Sequence, residues 1–377
     1  MSAWRDITVG MSGLTVTEIR LIRQDSLLLE NSTIDTVLGI TEWFGAMQAQ
    51  DLASAKWSYG ARIAGLKESD VDAAIRDGQI LRTWPMRGTI HFVPAIDARW
   101  MLNLTSSRTL AGTQARRERL GLTLRDIERA SEVASRELAG GKLLSRSDIL
   151  QRISDAGVST EGQRGYHVLW HLSHIGLTCI GPQEGKQQTF ALLDEWAPKQ
   201  RRLDQEQGLA ELALRYYRSH GPGPHQELMG WAGITAKDAK AGIASCGDAL
   251  CNETFDGKQM WMVAGARDVV TQTARQTFHA LPGFDEFILG FKDRSLIYAP
   301  QFNQAVIPGN NGIFRATIAQ DGQAIGTWTR KFKRSGVEMQ AVPFTKFTHK
   351  QFAGFKAAAS RYGEFRDLET HILDVTA

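Results

Sequence analysis

Two carboxamides, Gln48 and Gln50, stand one residue apart in Met47-Gln48-Ala49-Gln50-Asp51-Leu52, with a carboxylate directly after them. On a helix, side chains two positions apart point to nearly opposite sides and could not act together; in an extended segment they share one side. Gly45 closes a helical pattern over 34–44, which frees 47–51 to run extended. Met47 and Ala49 then face the core, and both amides project outward. An amide is a poor base, but it accepts a hydrogen bond from water, donates one to a phosphate or sugar oxygen, and holds a geometry. The plainer alternative is that both amides bond nearby backbone, and the residues alone favour it. Asp51 also has two readings, as a general base or electrostatic support, or as the cap of a helix starting at Leu52. The cap is the favoured one.

A second constellation follows in Leu81-Arg82-Thr83-Trp84-Pro85-Met86-Arg87-Gly88-Thr89-Ile90-His91, which reads as a hairpin. It carries Arg82, Trp84, Arg87 and His91 on one short ribbon. Guanidinium groups suit phosphate and minor-groove contacts, and Trp84-Pro85-Met86 near the tip could wedge against bases. The alternative is that Trp84, Ile90 and Phe92 are core residues, which is accepted for Phe92. His167, His171 and His174 have helical spacing but lack the Glu of H-E-x-x-H and a third ligand, so they read as ordinary surface or core histidines rather than a metal site. No Walker loop, dinucleotide fingerprint or G-x-S-x-G elbow occurs, so neither a nucleotide cofactor nor acyl chemistry is expected.

The elements that must position these groups repeat one order. Helical patterns over 17–29, 34–44, 52–63 and 69–76 precede the hairpin at 79–93. Patterns over 124–138, 145–153 and 162–175 precede strands at 177–180 and 189–193. Patterns over 205–219, 226–231 and 235–243 precede strands at 250–255 and 259–263, joined by Asp256-Gly257, a strong tight-turn signal. Helix-turn-helix followed by a hairpin is the winged-helix pattern. The last hundred residues differ: a hairpin of 314–318 and 323–329, a strand at 339–342 and a helix at 348–360. The expected fold is therefore α+β and helix-rich. Three tandem winged-helix units (1–120, 121–200, 201–267) precede a small α+β unit at 268–377.

At 377 residues, 42% hydrophobic and 23% charged, the chain has the composition of a globular protein of two to four units. The first six residues show no apolar core of a leader, and no apolar run approaches the roughly 18 residues of a membrane span. Cys179, Cys246 and Cys251 include no C-x-x-C pair and read as reduced thiols. A cytoplasmic monomer is expected. A net charge of +3 is mild, but cations cluster in Arg116-Arg117-Glu118-Arg119, Lys199-Gln200-Arg201-Arg202 and Arg330-Lys331-Phe332-Lys333-Arg334. A few cations on one face suffice for a duplex with a phosphate charge every ~1.7 Å, and Arg116 and Arg117 join the candidate DNA contacts.

The segment from Val16 to Trp100 resembles the winged-helix DNA glycosylases of the AlkZ and YcaQ type, which carry a Gln-x-Gln or Gln-x-Asp pair ahead of an Arg-Thr-Trp-x-Met-Arg-Gly-Thr-x-His hairpin. Leu281-Pro282-Gly283-Phe284-Asp285-Glu286, Leu289-Gly290, Ile307-Pro308-Gly309-Asn310 and Gly326-Thr327-Trp328 extend the likeness over nearly the whole chain. The resemblance implies that Gln48 and Gln50 are catalytic and that the hairpin meets double-stranded DNA near a lesion. It also implies hydrolysis of the N-glycosidic bond of N7-alkylated purines, interstrand crosslinks included. Such a base is cationic and leaves readily, so placing a water suffices; positioning alone supplies up to about 7–11 kcal/mol. The rival reading is a winged-helix transcriptional regulator without chemistry, which has no need of two amides beside a hairpin.

Overall fold

The computed structural model describes residues 13–30, 32–271 and 277–373, arranged as a helix-rich α+β protein. Residues 1–6, on which the leader reading rests, lie outside the described residues. Helices Val16–Ser26, Val37–Phe44, Leu52–Gly60 and Glu68–Arg76 lead into strands Ile80–Met86 and Thr89–Pro94. Thr15 opens the first with a capping box: its hydroxyl accepts from the Glu18 amide, and the Glu18 carboxylate accepts the Thr15 N–H. Gly45, at φ 78°, ends the second where the sequence placed the stop. Two helices that the sequence reading left unassigned, Ala98–Gly112 and Gln114–Arg119, come next. The Thr-Ser-Ser-Arg-Thr run inside the first has weak helix propensity, and packing against strand Ile80–Met86 overrides it.

Helices Leu124–Glu137, Arg146–Asp155 and Arg164–His174 precede strands Thr178–Glu184 and Gln187–Leu192. Helices Gln205–His220, His225–Ala232 and Ala236–Ser245 precede strands Leu250–Phe255 and Lys258–Val263, joined at Asp256 and Gly257 with φ 49° and 71°. The helix-then-hairpin order recurs, but the hairpins differ in surroundings. The first two merge into one six-stranded sheet, in the order Met47–Gln48, Thr89–Pro94, Ile80–Met86, Thr178–Glu184, Gln187–Leu192, Leu144–Ser145. Arg82 opposite Ile180 forms the seam between them. The third hairpin is a separate two-stranded ribbon.

The C-terminal part is a five-stranded sheet, in the order Thr370–Leu373, Gly336–Pro343, Gln323–Lys333, Thr317–Gln320, Phe278–Leu281. Its pairs are antiparallel except the one between Gly336–Pro343 and Thr370–Leu373. Strand Gln323–Lys333 runs past the expected end into the cationic cluster and turns back at 334–335. Helix His349–Arg366, capped by Thr348, outlasts its expected end at 360 by more than a turn. This part is bonded to the N-terminal helices: Trp57 Nε1 donates to the Ala280 carbonyl at 2.7 Å, and its ring meets Tyr362 edge-on at 5.1 Å. One apolar cluster runs through both ends of the chain. Among the described residues no helix is long and apolar enough to cross a membrane. The three cysteines are unpaired thiols, and burial pushes that of Cys179 up to about 12.

Candidate active site

The Gln48–Gln50 segment is extended. Met47–Gln48 pairs antiparallel with Thr89–Pro94, Met47 opposite Phe92 and Gln48 opposite His91. The Ala49 N–H donates to the Ile90 carbonyl at 2.8 Å, and the Ile90 N–H donates to Gln50 Oε1 at 3.2 Å. Met47 and Ala49 are buried, Gln48 is half-buried and Gln50 is exposed, the alternation expected of a strand with one wet side. Gln48 Oε1 has no hydrogen-bond partner among the described residues. Asp51 caps helix Leu52–Gly60, its carboxylate accepting the Ser54 N–H at 3.0 Å.

The hairpin sits differently from the expectation. Strand Ile80–Met86 lies between two partner strands and helix Ala98–Gly112, so residues on both its faces are buried. Arg82 (2% exposed), Trp84 and His91 are therefore interior groups, and their expected contact with DNA is corrected. Burial pushes the Arg82 guanidinium down to about 10. Met86 belongs to the core as well, so 84–86 is no wedge. The two-residue turn is Arg87-Gly88, at φ 54° and 69°. Arg87 is half-buried, its Nη2 within 3.3 Å of His91 Nε2, while His91 Nδ1 lies 2.9 Å from the Thr89 carbonyl. A proton on Nδ1 satisfies both contacts, with Nε2 accepting from Arg87. Burial, then the Arg87 charge, pushes His91 down to about 3, so the ring is neutral.

Two carboxylates without an assigned role complete the site. Asp285 receives two parallel bonds from Arg62, Nη1 to Oδ2 and Nη2 to Oδ1, each 2.9 Å, and accepts the Ser58 hydroxyl at 2.9 Å. Glu286 is 1% exposed. Its Oε1 accepts the backbone N–H of Gln48 at 3.2 Å; its Oε2 meets Trp231 Nε1 at 3.0 Å and His220 Nε2 at 3.2 Å. Burial opposes its charge, but the His220 hydrogen bond and the nearby positive charge of Arg87 outweigh that and hold the carboxyl at about 2. The sequence carried one available signal: two adjacent acids inside Phe284-Asp285-Glu286-Phe287-Ile288-Leu289, a run otherwise apolar enough to be buried.

Cations reach solvent elsewhere. Arg116 is exposed on helix Gln114–Arg119 and bonds Gln163 at 2.9 Å; Arg117 is half-buried near His167 and His171. Lys331, Phe332 (49% exposed), Lys333 and Arg334 form the tip of the 323–343 hairpin. Lys333 pairs with Glu338 at 3.1 Å, and Arg201 is engaged by Asp97 and Glu211 at 3.1 Å each. In the interior His167 stacks on Trp170 at a centroid spacing of 5.3 Å, His174 tilts against the same indole at 3.8 Å, and His174 Nδ1 lies 2.9 Å from the Trp170 carbonyl. No group of three or more His, Cys, Asp or Glu able to hold a metal occurs among the described residues.

A helix-rich α+β chain that holds two amides on one extended segment and carries exposed cations on other elements has the makings of a base-excising DNA enzyme. The sequence profile of the AlkZ-like DNA glycosylases matches residues 41–365, and the chain belongs to that family. It is 24% identical over 322 residues to an interstrand DNA cross-link repair glycosylase of Streptomyces sahachiroi, covering 81% of this chain and 85% of that relative. Its fold superposes on the solved Streptomyces sahachiroi DNA glycosylase AlkZ with a TM-score of 0.80 at 20% identity, covering 96% of this chain and 100% of that one.

Proposed function

We propose that the protein is a monofunctional DNA glycosylase that releases N7-alkylated purines from double-stranded DNA, crosslinked purines included. The observation that carries this is the extended segment at 47–50, pinned to strand Thr89–Pro94 with Gln48 opposite His91 and Gln50 accepting the Ile90 N–H. In the reaction the N9–C1′ bond breaks and its electron pair neutralises the cationic base. A water oxygen bonds C1′, and the water's surplus proton passes to solvent. Gln48 and Gln50 hold that water and the sugar-phosphate; neither has to act as a strong base, because the leaving group is already activated.

Arg87, Arg116 and Arg117 are read as phosphate contacts, together with the exposed tip at 331–334. The recurring helix-then-hairpin order supports three winged-helix units at 1–120, 121–200 and 201–267, with an α+β unit at 268–377. The reading includes a monomer working in the cytoplasm without a nucleotide cofactor, which sedimentation of the free protein and excision in buffer alone would check. A regulator without chemistry is disfavoured by the two amides and by family membership. The decisive test is incubation with duplexes carrying single N7-alkylguanines, then heating in alkali. Strand breaks at the modified base support the reading. Their absence across several adducts, with tight binding retained, would favour the regulator.

A further inference from the structure

We propose that Glu286 is the positioning residue of Gln48, holding its backbone from the side opposite the hairpin; this rests on the glycosylase reading above. Met47–Gln48 is one of the two edge strands of the six-stranded sheet. Its inner side is satisfied by the hairpin, since the Ala49 N–H points to Ile90. The Gln48 N–H points the other way, where a sheet edge would offer it only water. There it meets Glu286 Oε1 at 3.2 Å, 238 residues away in sequence.

The carboxylate is itself fixed. Oε2 is held by Trp231 Nε1 and His220 Nε2, and the other ring nitrogen of His220 lies 2.7 Å from the Ser219 hydroxyl. Its helix, Glu286–Leu289, is capped by the Asp285 that Arg62 grips. Three donors thus converge on two oxygens of one side chain. A carboxylate accepts at both; the amide of glutamine accepts at one and presents N–H groups at the other. Replacement by Gln therefore leaves an N–H facing either Gln48 or the Trp231–His220 pair, although size and shape are nearly unchanged. Small displacements of a catalytic group are costly: about 1 Å is worth on the order of a hundredfold in rate.

The test compares wild type, Q48A, E286Q and the double variant in three measurements. These are single-turnover release of N7-methylguanine, equilibrium binding to the same duplex, and hydrogen–deuterium exchange of the peptide spanning 46–51. The expected result for E286Q is excision slowed at least about tenfold, affinity within about threefold, and faster exchange at the Gln48 amide. In the double variant the rate should fall no further than in Q48A, because Glu286 acts through Gln48. Excision within about twofold of wild type, multiplying losses in the double variant, or unchanged exchange at Gln48 would each overturn the proposal. Should E286Q not fold, W231F removes one of the donors on Oε2 and is read by the same measurements, with the same expected pattern. A wild-type protein inactive on every adduct would sink the glycosylase reading instead. The exchange arm would still decide whether Glu286 holds Gln48.

Discussion

Arg62 and Asp285 form a doubly bonded ion pair whose side chains are both fully buried, and it joins helix Leu52–Gly60's end to the turn that delivers Glu286. Removing one partner strands a charge in the interior. Asp285→Asn should destabilise the protein by about 3–5 kcal/mol, read as a lowered denaturation midpoint. A loss under about 1 kcal/mol would show that the pair is dispensable.

Gln48→Ala and Gln50→Ala should each slow excision on the order of a hundredfold while leaving duplex affinity nearly intact, since both remove positioning rather than binding surface. Equal losses in rate and affinity would reassign them to binding. Gln50→Asp places a true base two residues after Gln48; unchanged rate, pH dependence and substrate range would remove Gln50 from the catalytic group.

The hairpin tip and the buried arginine should separate cleanly in salt titrations. Alanine at Lys331, Lys333 and Arg334 together should weaken binding to any duplex and lower the slope of log affinity against log salt by about 0.9 for each phosphate no longer neutralised. Arg82→Ala should leave that slope unchanged and lower stability instead, because its guanidinium is interior. A slope change with Arg82→Ala would show that the 80–94 hairpin opens to meet DNA.

Acid should unfold the protein early. Burial lowers His91 to about 3 and His174 and His279 to about 4, below their ordinary value near 6.5. The unfolded chain therefore binds protons that the folded chain refuses. Stability is intact above about pH 6.5 and falls between there and about 4 by up to about 1.4 kcal/mol per pH unit for each histidine. The depressed Glu286 adds to the loss only below about 4.5, as pH falls toward its folded value of about 2. Melting curves from pH 8 to 4 check this; a flat midpoint between 6.5 and 5 would refute it.

Local signals determined much of the chain. Gly45, Asp256-Gly257 and the cap at Asp51 act within a few residues, so these helix ends, the turn and the extended run leading to Asp51 were readable. Tertiary structure decided which polar groups are interior. A basic, aromatic hairpin reads as a wing when seen alone. Flanked in one sheet by Met47–Gln48 and Thr178–Glu184, with helix Ala98–Gly112 against it, it buries Arg82, Trp84 and His91. The exposed cationic tip arose where strand Gln323–Lys333 outran its expected end at 329, because pairing with Gly336–Pro343 carries it outward. Glu286 was legible only as an acid in an apolar run. Its contact with Gln48 spans most of the chain, and no local pattern encodes a partner that only folding brings within 3.2 Å.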